Sequence, residues 1–228
     1  MDIDEIVLNE LLGLLSENKA ALFEEIASQR TNFIHVAVEN LYQAHNASAV
    51  LRTCDCYGIN KMHVVENINK YKVNRDIALG AGKWVETETH TKGEQPTLEC
   101  ISTLKKRGYK IVATTPHTDE HTIYNVPLEE PLAVFFGTEL HGLSKEALSE
   151  ADYKVSIPMY GFTESFNISV SAAILLSHIR KRLEATDKEW KLNKEEQTHL
   201  KIQWCKESLK KGEQIENEIR RRIIGKEL

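Results

Sequence analysis

Apolar side chains recur at helical spacing through residues 3–29. Ile3, Ile6, Val7, Leu11, Leu14 and Leu15 begin the stripe, and Ala21, Leu22, Ile26 and Ala27 continue it. Gly13 and Ser16 divide it into two helices. The pattern then changes to short apolar runs. Residues 33–38, 62–65, 84–89, 110–114, 132–136 and 153–157 read as strands. Between and after them, 46–57, 96–107, 144–149 and 168–183 read as helices. Asn46 is the candidate N-cap of the first and Gly58 its C′ stop, while Ser165 or Asn167 is placed to cap the last. Leu132–Phe136 is apolar throughout, as a strand covered on both faces requires. The alternation predicts an α/β domain, a mostly parallel sheet with helices on both faces. Beyond residue 185 the strands stop, and Asn193-Lys194-Glu195-Glu196 reads as a capping box opening a helix that runs through Arg222. The organisation expected is a helical extension over 1–30, the α/β domain over 31–184 and a second helical extension over 185–228.

Composition narrows the class. With 228 residues, 41% hydrophobic and 28% charged, the chain fits a globular domain with a real core. No apolar run approaches the roughly 20 residues of a membrane-spanning helix. The opening Met-Asp-Ile-Asp-Glu lacks the basic start of a secretory leader, so a cytoplasmic protein is expected. Cys54, Cys56, Cys100 and Cys205 include no Cys-x-x-Cys pair, so reduced thiols and no metal are expected. The net charge of −5 does not advertise a nucleic-acid binder. Local basic clusters nevertheless allow an RNA surface: Lys70, Lys72 and Arg75; Lys105, Lys106, Arg107 and Lys110; Arg180–Arg182; and Arg220–Arg222. Gly80-Ala81-Gly82-Lys83 lacks the first glycine of a P-loop, and Trp84 stands where Ser or Thr is needed. No dinucleotide fingerprint or nucleophile elbow is present.

Ligands of open parallel sheets bind beyond the carboxyl ends of the strands, and three polar loops lie there. His45-Asn46-Ala47-Ser48 leads into a helix carrying Arg52; taken alone it reads as a cap plus a surface arginine. Gly137-Thr138-Glu139-Leu140-His141-Gly142-Leu143-Ser144 sets a carboxylate between two glycines after the most apolar strand; alone it reads as a strand-to-helix turn. Ile157 to Asn167 follows another strand and opens the long helix, whose first N–H groups are capped or hold an anion.

In this order and at these intervals, the three loops resemble the signature motifs of the SpoU/TrmH branch of the SPOUT superfamily, over roughly residues 31–184. The matching segments are His45 to Asp55, Phe136 to Ser144, and Ile157 to Asn167 with the helix after it. The resemblance implies an α/β fold with a C-terminal trefoil knot, which general topology rules would not predict. It implies S-adenosylmethionine-dependent RNA 2′-O-ribose methylation by a homodimer. The implied cofactor positions are Thr114, Gly137, Ile157, Met159 and Phe166, the last standing where relatives usually carry Leu. The implied catalytic set is Arg52, Asn46, Glu139, Ser165 and Asn167, with Asn46 orienting Arg52 beside the target ribose. The family assigns the arginine as general base. A guanidinium hardly gives up a proton in proteins, so phosphate binding and alkoxide stabilisation are expected of Arg52 instead. Helices at both ends, no separate N-terminal RNA-binding domain and Gly82-Lys83-Trp84-Val85 make the chain most similar to enzymes acting on the tRNA D-loop guanosine at position 18. The alternatives are a ribosomal RNA methyltransferase, an enzyme of the tRNA wobble ribose, and a non-catalytic RNA-binding protein of the same fold.

Overall fold

The computed structural model describes residues 2–67, 74–91 and 93–225; Lys70 and Lys72, from the first basic cluster, lie outside them. The chain forms two compact units, residues 31–190 and residues 1–30 with 191–228.

In the larger unit the elements are β1 (Ile34–Glu39), α1 (Ala44–Cys56), β2 (Lys61–Val65), α2 (Arg75–Ala78), β3 (Glu86–His90), α3 (Pro96–Lys106), β4 (Lys110–Thr114), β5 (His121–Thr122), β6 (Leu132–Phe136), α4 (Lys145–Glu150), β7 (Tyr153–Ser156) and α5 (Ile168–Glu184). The described strands form one sheet in the order β3-β2-β1-β6-β4-β7-β5, and every pairing is parallel. β1 and β6 are buried along their whole length, because helices cover both faces. Alternate strand residues face opposite ways. Val36, Val38, Val134 and Phe136 join Val50, Leu51, Leu175 and Leu176 from α1 and α5 in one cluster. Ala37, Ile111, Ala133 and Phe135 join Ile101, Leu104 and Ala147 from α3 and α4 in the other. Two elements escape the sequence pattern. β5 is two residues long, and α2 is a single turn. Gly80-Ala81-Gly82-Lys83 lies at a 3-10 turn over Ala81–Lys83, not after a strand.

A polar string crosses β1, β2 and β3 on the second face. Tyr109 Oη lies 2.9 Å from His35 Nε2, His35 Nδ1 3.1 Å from His63 Nε2, and His63 Nδ1 3.0 Å from His90 Nε2. Burial holds His35 and His63 neutral, taking His63 down to about 3 against the opposing pull of Glu88.

The smaller unit holds α6 (Ile3–Leu12), α7 (Glu17–Ala27), α8 (Lys194–Ser208) and α9 (Gly212–Ile224), α6 and α7 preceding β1 in the chain. Asn193 and Glu196 form the expected capping box. The single helix expected from Asn193 to Arg222 is corrected: it breaks after Ser208. Leu209 is extended and Lys211 adopts φ 69°. A Cβ on Gly212 would come within 2.3 Å of the Lys206 carbonyl oxygen, so this residue lets α9 start hard against α8. Phe23 packs edge-on against Trp204 at 5.4 Å. Ion pairs link the helices, among them Lys194–Glu5 at 2.7 Å and Arg220–Asp4 at 2.6 Å, and His199 Nε2 lies 2.8 Å from Asp4 Oδ2.

Candidate active site

Strand order builds the site. β4 lies between β6 and β7, so the carboxyl ends of the three parallel strands are neighbours. The segments leaving them enclose a cavity of about 310 Å³. Thr114, Gly137, Ile157, Met159 and Phe166 all line it, as do Glu139 and Ser165. Thr114 Oγ1 donates to the Phe135 carbonyl at 2.8 Å, tying the end of β4 to β6. The loop after β6 closes on itself: the Thr138 and Gly142 N–H groups each donate to the other's carbonyl at 2.9 Å. A Cβ on Gly137 would stand 2.1 Å from the Gly142 carbonyl carbon. Glycine at 137 is therefore demanded by the fold of the loop.

Three distant segments meet at the Glu139 carboxylate. Asn46 Nδ2 donates to Glu139 Oε1 at 2.8 Å, and Asn167 Nδ2 donates to the same oxygen at 2.5 Å. Asn167 Nδ2 also lies 3.2 Å from Asn46 Oδ1. Asn167 caps α5, its Oδ1 accepting from the Ser169 N–H at 2.9 Å, so one side chain both starts the helix and reaches the site. Asn46 is not the N-cap of α1. That helix begins two residues earlier, with Gln43 at the cap, and Asn46 sits buried in the first turn. Gly58 does stop it, at φ 69°.

Arg52 stands apart. It is exposed on α1, and its side chain makes no hydrogen bond or ion pair with the described residues. Asn46 meets Glu139 and Asn167, not Arg52. Six residues turn a helix through about 240°, which carries the two side chains in different directions. Ser165 is exposed in the cavity lining. The basic clusters behave differently from Arg52. Lys105 pairs with Glu150 at 2.9 Å, Arg107 with Glu88 at 2.9 Å, and Arg180 with Glu184 at 2.9 Å while stacking 4.1 Å from the Trp190 ring. Much of their charge is answered within the protein.

Sequence reading missed Glu39. This carboxylate ends β1 at 2% exposure. Its Oε1 accepts from Thr97 Oγ1 at 2.5 Å and from Ser144 Oγ at 2.7 Å, and its Oε2 accepts from the Ser144 N–H at 2.8 Å. It anchors the far end of the Gly137–Ser144 loop. The available signal was an acidic residue closing the Val36-Ala37-Val38 run of a buried strand.

Residues 33–177 match the SpoU rRNA Methylase family. The tRNA (guanosine(18)-2'-O)-methyltransferase of Borreliella burgdorferi is 37% identical over 219 residues, 94% of this chain and 98% of the relative. The crystal structure of the A. aeolicus TrmH/SpoU tRNA modifying enzyme superposes with a TM-score of 0.76 at 29% identity, covering 85% of this chain and 98% of that one. The SpoU methyltransferase AviRb from Streptomyces viridochromogenes, in complex with the cofactor AdoMet, shares the fold with a TM-score of 0.60 at 19% identity over 71% of this chain and 65% of its own. The chain belongs to the SpoU methylase family.

Proposed function

We propose that this protein methylates the ribose 2′-oxygen of a tRNA guanosine, at position 18 of the D-loop, using S-adenosylmethionine. The observation that carries the reading is the meeting of Asn46, Glu139 and Asn167 beside the cavity at the ends of β4, β6 and β7. The matching activity named for the Borreliella relative, similar along almost the whole chain, supports the guanosine and the tRNA.

The cavity suits the cofactor in chemistry. Ile157, Met159 and Phe166 supply apolar walls for an adenine and the carbons flanking the sulfonium, while Thr114, Glu139 and Ser165 supply polar groups for ribose and amino-acid ends. Phe166, 41% exposed, is large where relatives usually carry Leu, so it narrows one wall. AviRb, which has the same fold, holds AdoMet. When bound, the cofactor supplies a methyl group on a sulfonium that needs no further activation. The protein's own work is alignment and charge control. Asn46 and Asn167 fix the Glu139 carboxylate. Arg52, held by no described carboxylate, binds an RNA phosphate in bidentate fashion and stabilises negative charge developing on the 2′-oxygen. A guanidinium offers donors and no acceptor, so the hydroxyl proton leaves to another group.

The same reading assigns methyl transfer to residues 31–184, with the terminal helices as extensions, in a cytoplasmic homodimer with a trefoil knot. Return of the chain from edge strand β5 to insert β6 and β7 on either side of β4 supports the knot. Exposure of Leu140, Tyr160 and Phe162 on the loops after β6 and β7 supports a covered face there. The test uses two tRNA transcripts, one with guanosine and one with 2′-deoxyguanosine at position 18. Transfer to the first and none to the second is expected. Equal transfer to both would place the methyl elsewhere.

A further inference from the structure

His63 on β2, His90 on β3 and Cys100 on α3 each bring one ligand atom within 4.8 Å of the others, at the end of the sheet away from the β6-β4-β7 cavity. These residues share no sequence spacing, because the sheet register assembles them. His63 lies opposite Glu88, His90 lies opposite Val65, and α3 covers that face.

The polar string fixes which nitrogen of each ring is free. Tyr109 has one hydroxyl proton and gives it to the Asn32 carbonyl at 2.6 Å. Its contact with His35 must then be donated by His35 Nε2–H. That leaves a lone pair on His35 Nδ1, which accepts from His63 Nε2–H. His63 Nδ1 therefore carries a lone pair and points it at His90 Nε2, 3.0 Å away. For His63 this is the arrangement a metal-binding imidazole needs once an ion displaces the His90 N–H: Nδ1 with a lone pair, and Nε2 donating to an outer partner that holds the ring. Here the outer partners are His35, Tyr109 and the Asn32 carbonyl in series.

We propose that His63 Nδ1, His90 Nε2 and Cys100 Sγ bind one borderline transition-metal ion of the zinc type, with the Glu88 carboxylate facing the fourth position. Glu88 Oε1 lies 3.8 Å from His90 Nε2 and its Oε2 lies 3.9 Å from His63 Nδ1. Arg107 holds this carboxylate at 2.9 and 3.2 Å. Zn–N bonds of about 2.0–2.1 Å at a tetrahedral angle set the two nitrogens about 3.3 Å apart, close to the spacing already present. Binding is balanced as follows: the His90 proton moves from Nε2 to Nδ1, the Cys100 thiol releases its proton to solvent, and three donor bonds form to the ion. The ion ties edge strand β3 and helix α3 to β2, so its effect is structural.

Metal-free protein is titrated with Co²⁺, read by absorbance, and with Zn²⁺, read by calorimetry. The expected result is one ion per chain, a thiolate-to-cobalt charge-transfer band, one proton released and a rise in melting temperature with Zn²⁺. Cys100→Ser removes the band, and Tyr109→Phe weakens binding about 10- to 100-fold by loosening the string. His90→Gln, at a half-buried position, decides the matter if Cys100→Ser does not fold: it must lose the one-to-one binding. No saturable binding at one ion per chain overturns the site and leaves a hydrogen-bonded string. So does a cobalt band that persists in both variants, which would come from exposed Cys56.

Discussion

Asn46 Nδ2 and Glu139 Oε1 are 2.8 Å apart although 93 residues separate them in the chain. That bond joins the first turn of α1 to the loop after β6, and Asn167 adds the start of α5 through the same oxygen. Removing the Asn46 amide leaves Glu139 with one donor in place of two. Asn46→Ala is expected to lower methyl transfer by roughly 100-fold, the scale for loss of one preorganised polar group. Glu139→Ala is expected to match it, and the double variant to be little worse than either, because the residues act as a unit. Single-turnover rates on unmodified tRNA measure this, with circular dichroism confirming the fold.

Arg52 offers the cleanest separation of function from stability. An exposed side chain without a described partner contributes within about 0.5 kcal/mol to folding. Arg52→Ala should melt as the parent does and lose activity by roughly 100-fold or more. Arg52→Lys should remain impaired, since an ammonium cannot make the bidentate phosphate contact. Full activity in Arg52→Ala would remove it from the reaction.

Gly137→Ala forces a methyl group against the Gly142 backbone, a contact that no side-chain rotation relieves. A loss of about 1–3 kcal/mol in stability is expected, together with weakened S-adenosylmethionine binding. Gly161→Ala is the control, for nothing lies within 4 Å of its added Cβ. Calorimetric cofactor titration and thermal melting compare the two.

Glu39→Ala leaves the Ser144 N–H and hydroxyl and the Thr97 hydroxyl without their shared acceptor. Each unsatisfied buried donor costs about 1–3 kcal/mol, so a clear drop in melting temperature is expected. Reduced cofactor affinity should accompany it, through loosening of the Gly137–Ser144 loop. Affinity unchanged in a folded variant would confine Glu39 to stability.

Acid should act on the helical unit. Burial opposes the charged Asp4 carboxylate, but hydrogen bonds from Arg220 and His199 prevail and hold its pKa below the ordinary 3.8. A depressed carboxylate stabilises the fold above its unfolded pKa, and that stabilisation is lost as pH falls through the folded value. The loss is therefore expected below pH 3.8, and Arg220→Met should raise the midpoint of acid unfolding followed by Trp204 fluorescence.

Periodicity and end signals carried most of the fold. The apolar runs at 110–114 and 132–136 coincide with β4 and β6, and Asn193 caps α8 as its neighbours predict. What periodicity could not reveal depends on long-range pairing. β5 is too short to show alternation and exists because β7 offers it an edge. Asn46 was misplaced as a cap because asparagine at a helix start is the commoner cap, while here its amide is drawn inward to Glu139. Motif order located the loops, but the Glu39 anchor needed β1 and α4 brought together, and the His63–His90–Cys100 cluster needed the sheet register.

The most direct test of the central claim is methyl transfer from labelled S-adenosylmethionine by the full chain to unmodified tRNA and, separately, to ribosomal RNA fragments, with nucleoside analysis of each product. The reading predicts 2′-O-methylguanosine in the tRNA D-loop and none in the ribosomal fragments. Methylation confined to ribosomal RNA, or no transfer to tRNA while the cofactor binds, would contradict it.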